Sequence, residues 1–159
     1  MNVKTFFPIL IHLIICVCWY ALNDLFFIGP EPGRLTQYVY NFINQGLATI
    51  LMIAVAIIGL CITFSVYFIV GKQIQVASET SKIMSILSIT LFNLLILLVL
   101  LISTKNINST IYISQLTFNA PFFVLAVQCR LDGLWSTIAI SIFPSIIMFA
   151  GYLYRGMVI

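Results

Sequence analysis

Apolar residues fill this chain in long runs, and the ionisable side chains fall between the runs. The charged positions are Lys4, Asp24, Glu31, Arg34, Lys72, Glu79, Lys82, Lys105, Arg130, Asp132 and Arg155, with a single histidine at His12. No charge lies between Arg34 and Lys72, between Lys82 and Lys105, or between Asp132 and Arg155. A helix needs about 20 apolar residues to cross the hydrocarbon core, and each of these gaps is long enough. The pattern predicts an all-α polytopic transmembrane helix bundle, one integral membrane domain over residues 1–159, with spans at about 5–22, 47–70, 83–103 and 134–154.

The connections follow from helix-breaking and polar residues. Trp19 and Tyr20 close the first apolar run, as interfacial aromatics do. That run superficially resembles a signal peptide. Trp19 stands where cleavage at Ala21 needs a small residue, and Ile15 before Cys16 does not suit a lipoprotein signal, so an uncleaved first span is expected. Gly29-Pro30-Glu31-Pro32-Gly33 cannot continue a helix, and a loop is predicted over 23–37. Residues 38–70 read as one long apolar element with an interfacial beginning. Gly71-Lys72 is expected to end it, a glycine stop followed by a cation at the helix C-terminus. The stretch 72–82 is a short polar connector, and 106–115 reads as irregular. The segment 113–129 is apolar but short and contains Asn119-Ala120-Pro121, so it is expected to be re-entrant or a fifth span. Pro144 predicts a kink in the last span.

Composition narrows the function. The chain is 62% hydrophobic and 7% charged, against roughly 25% charged in soluble domains, which leaves no stretch for a separate water-soluble core. The net charge of +3 comes with no Lys/Arg cluster, so no nucleic acid binding is expected. With the N-terminus inside, Lys4, Lys72, Lys82 and Arg155 face the cytoplasm, while Arg34, Lys105 and Arg130 face out, and the Lys72/Lys82 connector favours that orientation.

Candidate chemistry is sparse. The carboxylates Asp24, Glu31, Glu79 and Asp132 all lie in connectors, which disfavours a proton-driven transporter and gives no general acid–base pair. Cys16 and Cys18 point roughly 200° apart on a helix, so they cannot pair locally; these two, Cys61 and Cys129 read as small apolar residues. No cofactor, no metal site and no catalytic residue is expected. His12 is the one ionisable group inside a span. It reads either as a proton-handling group or ligand, or as a neutral imidazole bonded to a neighbouring helix. The polar amide at Asn93 also lies within a span. Asn108-Ser109-Thr110 matches a glycosylation sequon, which matters only in a eukaryotic secretory setting.

Small residues suggest where helices pack. Thr137, Ser141 and Ser145 share one face of the last span, and Gly59 and Thr63, with Ala56 one turn earlier, offer a weaker face on the second. Ser81, Ser85 and Ser88 line a face of the third. These faces suit packing within the chain or contacts with other subunits.

The region from Leu47 to Asn93 also carries a family resemblance. A long apolar helix leads into Phe64-Ser65-Val66-Tyr67-Phe68-Ile69-Val70-Gly71-Lys72, then a short polar connector, then Lys82-Ile83-Met84 opening another span. At the level of pattern this resembles the polytopic inner-membrane subunit family of type IV secretion and conjugal transfer systems. Ser114-Gln115-Leu116 through Pro121 resembles the segment that follows there. The chain departs from the family in lacking a long polar periplasmic loop. The resemblance implies a component of a bacterial inner membrane that helps to form a translocation path with partner subunits.

The expected function is therefore a non-enzymatic multi-pass membrane protein, a subunit of a larger envelope assembly whose partners are the lipid bilayer, other membrane subunits or further copies of itself. A small channel or carrier for a neutral or apolar solute is one alternative. An immunity or exclusion protein, with specificity in 23–37 or 106–115, is another.

Overall fold

A computed structural model describes residues 3–28, 31–74, 79–104, 106–122 and 133–158. The architecture is all-α. Helix α1 spans Val3–Phe26, α2 Arg34–Phe42, α3 Gln45–Gln73, α4 Glu79–Thr104, α5 Ile107–Ile113 and α6 Leu134–Val158. A single π-helical turn, Ser114–Phe118, follows α5 directly. The only extended pieces among the described residues are two strands of two residues each, β1 Phe27–Ile28 and β2 Glu31–Pro32, paired antiparallel. Four helices are long and apolar enough to cross a membrane, over Phe6–Phe26, Gln45–Gln73, Ser81–Ser103 and Leu134–Arg155. The protein is an integral, multi-pass membrane protein.

The first connection differs from the predicted loop over 23–37. Helix α1 runs on to Phe26, and Arg34–Phe42 is itself helical. A small polar clamp holds this corner. The Thr36 hydroxyl donates to the Phe26 carbonyl at 3.2 Å, and Arg34 pairs with Asp24 at 3.4 Å. Gly33 is buried, and a Cβ there would lie 2.5 Å from the Leu25 carbonyl carbon, so only glycine lets α2 fold back this closely. The expected long element over 38–70 is likewise two helices. Asn44 separates them: its side chain accepts from the backbone N–H groups of Gly46 at 2.7 Å and Leu47 at 3.2 Å, capping α3.

Side-chain contacts give the direction of each helix. On α1, His12 meets Tyr67 and Trp19 meets Thr63, so α1 and α3 run antiparallel. Ser145 on α6 bonds Ile86 and Thr90 on α4, and Thr90 also reaches the Ser141 carbonyl, so these two are antiparallel as well. The start of α1, the end of α3, the start of α4 and the end of α6 therefore share one end of the bundle. The end of α4 and the start of α6 share the other.

This arrangement decides the ambiguous segment as far as its residues are described. The chain leaves α4 and enters α6 at the same end. Between them α5 and the π turn lead inward to Asn119, Ala120, Pro121 and Phe122, all buried. Asn119 there bonds Asn93, in the middle of α4. The segment is therefore re-entrant, and its described residues end inside the bundle. Backbone of this kind is tolerated at membrane depth where protein surrounds it. Residues 123–129 of the predicted stretch lie outside the described residues. The expected irregular run over 106–115 is instead helix α5 leading into the π turn.

The interior of the bundle mixes polar and apolar side chains, and its outside is apolar. His12, Asn93, Asn119, Thr137 and Ser141 are completely buried, while Ile57, Ile58, Leu95 and Ile146 are more than half exposed. Lipid is as apolar as leucine, so helices associate through close packing and interhelical hydrogen bonds. The packed centre brings Tyr67, Val70, Ile86, Ile89, Phe122 and Met148 together. Helix α6 runs without interruption through Pro144, which is buried.

Candidate functional site

The most developed polar structure is a line of hydrogen bonds across the bundle. It begins on α3, where the Tyr67 hydroxyl lies 2.6 Å from His12 Nδ1 on α1. His12 Nε2 faces the Phe118 carbonyl at 2.9 Å and Asn93 Oδ1 at 3.1 Å. A backbone carbonyl only accepts, so Nε2 carries the proton and Nδ1 receives the one from Tyr67. Asn93 Nδ2 then donates to Asn119 Oδ1 at 3.1 Å. Asn119 Nδ2 donates to Ser141 Oγ at 3.2 Å, and the Ser141 hydroxyl donates to the Thr137 carbonyl at 2.8 Å. Every bond points the same way, from α3 through α1, α4 and the re-entrant tip to α6.

Local structure places each member. The π turn ends at Asn119, whose N–H returns to the Ser114 carbonyl at 3.0 Å. The Phe118 carbonyl turns toward α1, where it also accepts from the Cys16 thiol at 3.3 Å. Thr137, Ser141 and Ser145 sit four residues apart, so all three hydroxyls face inward. Ser145 donates to the Ile86 carbonyl at 2.8 Å and accepts from Thr90 at 2.7 Å.

The arrangement orients and locks helices; it does not suit proton relay. Amide side chains hold their protons, and two of them, Asn93 and Asn119, interrupt the line between His12 and Ser141. No carboxylate takes part. Among the described residues no group of three His, Cys, Asp or Glu could hold a metal ion.

A second feature is an apolar groove of about 340 Å³ between α1 and α4, walled by Phe6, Ile9, Met84, Leu91, Phe92 and Leu95. Its one hydroxyl, Ser88, is turned back to the Ser85 carbonyl at 2.7 Å. The groove can seat an acyl chain or an apolar side chain and has nothing to orient a polar substrate.

The sequence-predicted residues are thus distributed as follows. His12 and Asn93 meet, as neighbours in the polar line. Thr137, Ser141 and Ser145 face α4 and the re-entrant tip. Gly59 and Thr63 hold Trp19, whose indole N–H donates to the Thr63 hydroxyl at 2.7 Å. A Cβ on Gly59 would come within 2.7 Å of that indole ring. Both small-residue faces are therefore consumed inside the chain and are not open to other subunits. Trp19 is correspondingly 2% exposed and buried, contrary to its expected interfacial place.

Gly71 also needs correction. It does not stop α3, which continues to Gln73 and is capped at Ile74. Gly71 is buried because α6 passes directly over it: a Cβ would overlap the Met148 carbonyl oxygen and lie 2.6 Å from its carbon. The contact is reciprocal, since a Cβ on Gly151 would overlap the Phe68 carbonyl oxygen. Gly151, Tyr67 and Thr90 were not marked by the sequence, and Asn119 was marked only as a helix breaker.

No family model, no curated protein and no solved structure matches the chain.

Proposed function

We propose that this chain is a non-catalytic membrane subunit that works through helix–helix contacts within a larger envelope assembly, such as secretion or conjugation machinery. The observation that carries the reading is the outer face of α3. This helix has 29 residues, the longest of the four, yet only 11% of its most apolar window is buried. Ile50, Ile57, Ile58, Ile62 and Ile69 are exposed on it. Cys61 and Ser65, also exposed, add a small-xxx-small pair that permits close approach of another helix. The faces used internally and the face left for partners are thus different sides of the same helix.

Two further points support the reading. Most buried polar side chains are bonded within the bundle; among the described residues Asn23 Oδ1, Ser85 Oγ and Ser114 Oγ are buried without a partner, and they sit on three different elements, α1, α4 and the π turn. Lys72, Lys82 and Arg155 collect at one end of the bundle, while at the other Arg34 is paired with Asp24. By the positive-inside rule the lysine-rich end faces the cytoplasm, together with the start of α1.

The test is purification from native membranes in mild detergent, with mass spectrometry of what accompanies the chain, and cross-linking from Cys61. Stoichiometric envelope proteins joined through Cys61 are expected. A lone chain would sink the proposal. The re-entrant tip favours a second reading, a channel or carrier for a neutral solute, since such segments line transport paths. Solute flux into proteoliposomes, without any partner, would favour it.

A further inference from the structure

We infer that the bundle end bearing Lys72, Lys82 and Arg155 is a binding site for the phosphate headgroup of an anionic lipid. Lys72 and Arg155 meet, and Lys82 stands at the same end of the bundle. Lys72 lies in the last turn of α3, Lys82 in the first turn of α4 and Arg155 in the last turn of α6. Each cation is seated against a neighbouring element. The Lys72 ammonium sits over the Tyr154 ring at 5.4 Å, the Lys82 ammonium over the Tyr152 ring at 5.8 Å. Arg155 donates to the Lys72 carbonyl at 3.2 Å. A tyrosine face holds a cation without neutralising it. An ammonium has three donors and a guanidinium five, so Lys72 and Arg155 keep donors for an oxygen-rich anion.

The local charge balance favours such an anion. Two helix C-termini contribute about half a negative charge each and one N-terminus about half a positive charge, so the three cations leave a surplus of about two and a half charges. Glu79 opens α4 at this end; its side chain lies outside the described residues, and counting its full charge still leaves a positive surplus.

The surroundings favour a lipid as the source of the phosphate. Tyrosines with an apolar body and a polar tip settle at headgroup depth. Phe149, Leu153 and Ile69, deeper on the same two helices, are exposed, so acyl chains can descend beside the cluster. Basic pockets between transmembrane helices are known to receive anionic headgroups.

The test uses the full chain in nanodiscs containing phosphatidylglycerol and phosphatidylcholine in equal amounts with matched acyl chains. Lipid retained after release into detergent is counted by native mass spectrometry. The native chain is expected to retain phosphatidylglycerol selectively. K72Q combined with R155Q should reduce that retention roughly twenty-five-fold, taking about fivefold per cation. The charge-preserving pair K72R and R155K should keep it, which separates loss of charge from loss of fold. Equal retention of both lipids by the native chain would overturn the inference, as would undiminished selectivity in the glutamine variant. Displacement by inorganic phosphate as effectively as by added phosphatidylglycerol would also overturn the assignment to lipid.

Discussion

Replacing Gly71 or Gly151 with alanine should open the seam between α3 and α6, and replacing both should do little more damage than replacing one. A Cβ on Gly71 would lie 2.6 Å from the Met148 carbonyl carbon and 2.7 Å from its Cα. A Cβ on Gly151 would lie 2.9 Å and 3.1 Å from the same atoms of Phe68. Ordinary contact begins at 3.4 Å, and both obstacles are backbone, which cannot rotate away as a side chain can. The helices must therefore part by about 1 Å, and a gap of that size forfeits about a quarter to a half of the dispersion energy across it. Overpacking of this kind costs about 1–3 kcal/mol, so each single variant should lose about 2 kcal/mol. One separation relieves both clashes. The double variant should therefore lose about 2–3 kcal/mol, with a coupling of about 1–2 kcal/mol against additivity. Reversible unfolding in mixed micelles of rising SDS fraction, followed by circular dichroism, measures all three. Gly133→Ala is the control, because the nearest atom to its new Cβ is Ser136 Oγ at 4.0 Å. Single variants as stable as the control, or a double variant that loses the plain sum, would refute the reasoning.

Asn93→Leu should cost about 2–3 kcal/mol in the same assay, because it removes two bonds of the line and leaves Asn119 Oδ1 without its donor, whereas Tyr67→Phe removes one bond and should cost about 1 kcal/mol. Equal losses would argue against a line of bonds in which Asn93 is the junction. Thr63→Val should remove the hydrogen bond to the Trp19 indole and shift its fluorescence to shorter wavelength in a Trp135→Phe background, with no shift expected from Thr49→Val on the exposed side of α3. Asn44→Ala should cost about 1 kcal/mol by uncapping α3, seen in the same unfolding titration.

The spans were legible because charge avoidance leaves long gaps, and hydrocarbon thickness sets how long a gap must be. What lies on which side of a helix was less so. Trp19 at the end of an apolar run has the same sequence signature whether it meets headgroups or fills a slot beside Gly59. Gly71 before Lys72 looks like a stop signal, and only the passage of Met148 over it reveals a contact. The polar line joins residues 55, 81 and 106 positions away from His12, and no local pattern announces partners at such distances. Thr137, Ser141 and Ser145 were legible as one face through their spacing alone. Which way that face turns depended on Asn119, a residue whose neighbourhood reads locally as a simple break.

The one-way line of hydrogen bonds also carries a history. A chain made from its N-terminus presents His12, Tyr67 and Asn93 before either Asn119 or Ser141 exists. The first three can join as soon as α4 is in the bilayer, holding Asn93 ready with its amide protons unspent. Asn119 arrives next and can bond Asn93 alone; its other half must wait for α6. The re-entrant segment is thus a latch that closes only when the last helix is inserted, and synthesis stalled before Ser141 should leave it ajar.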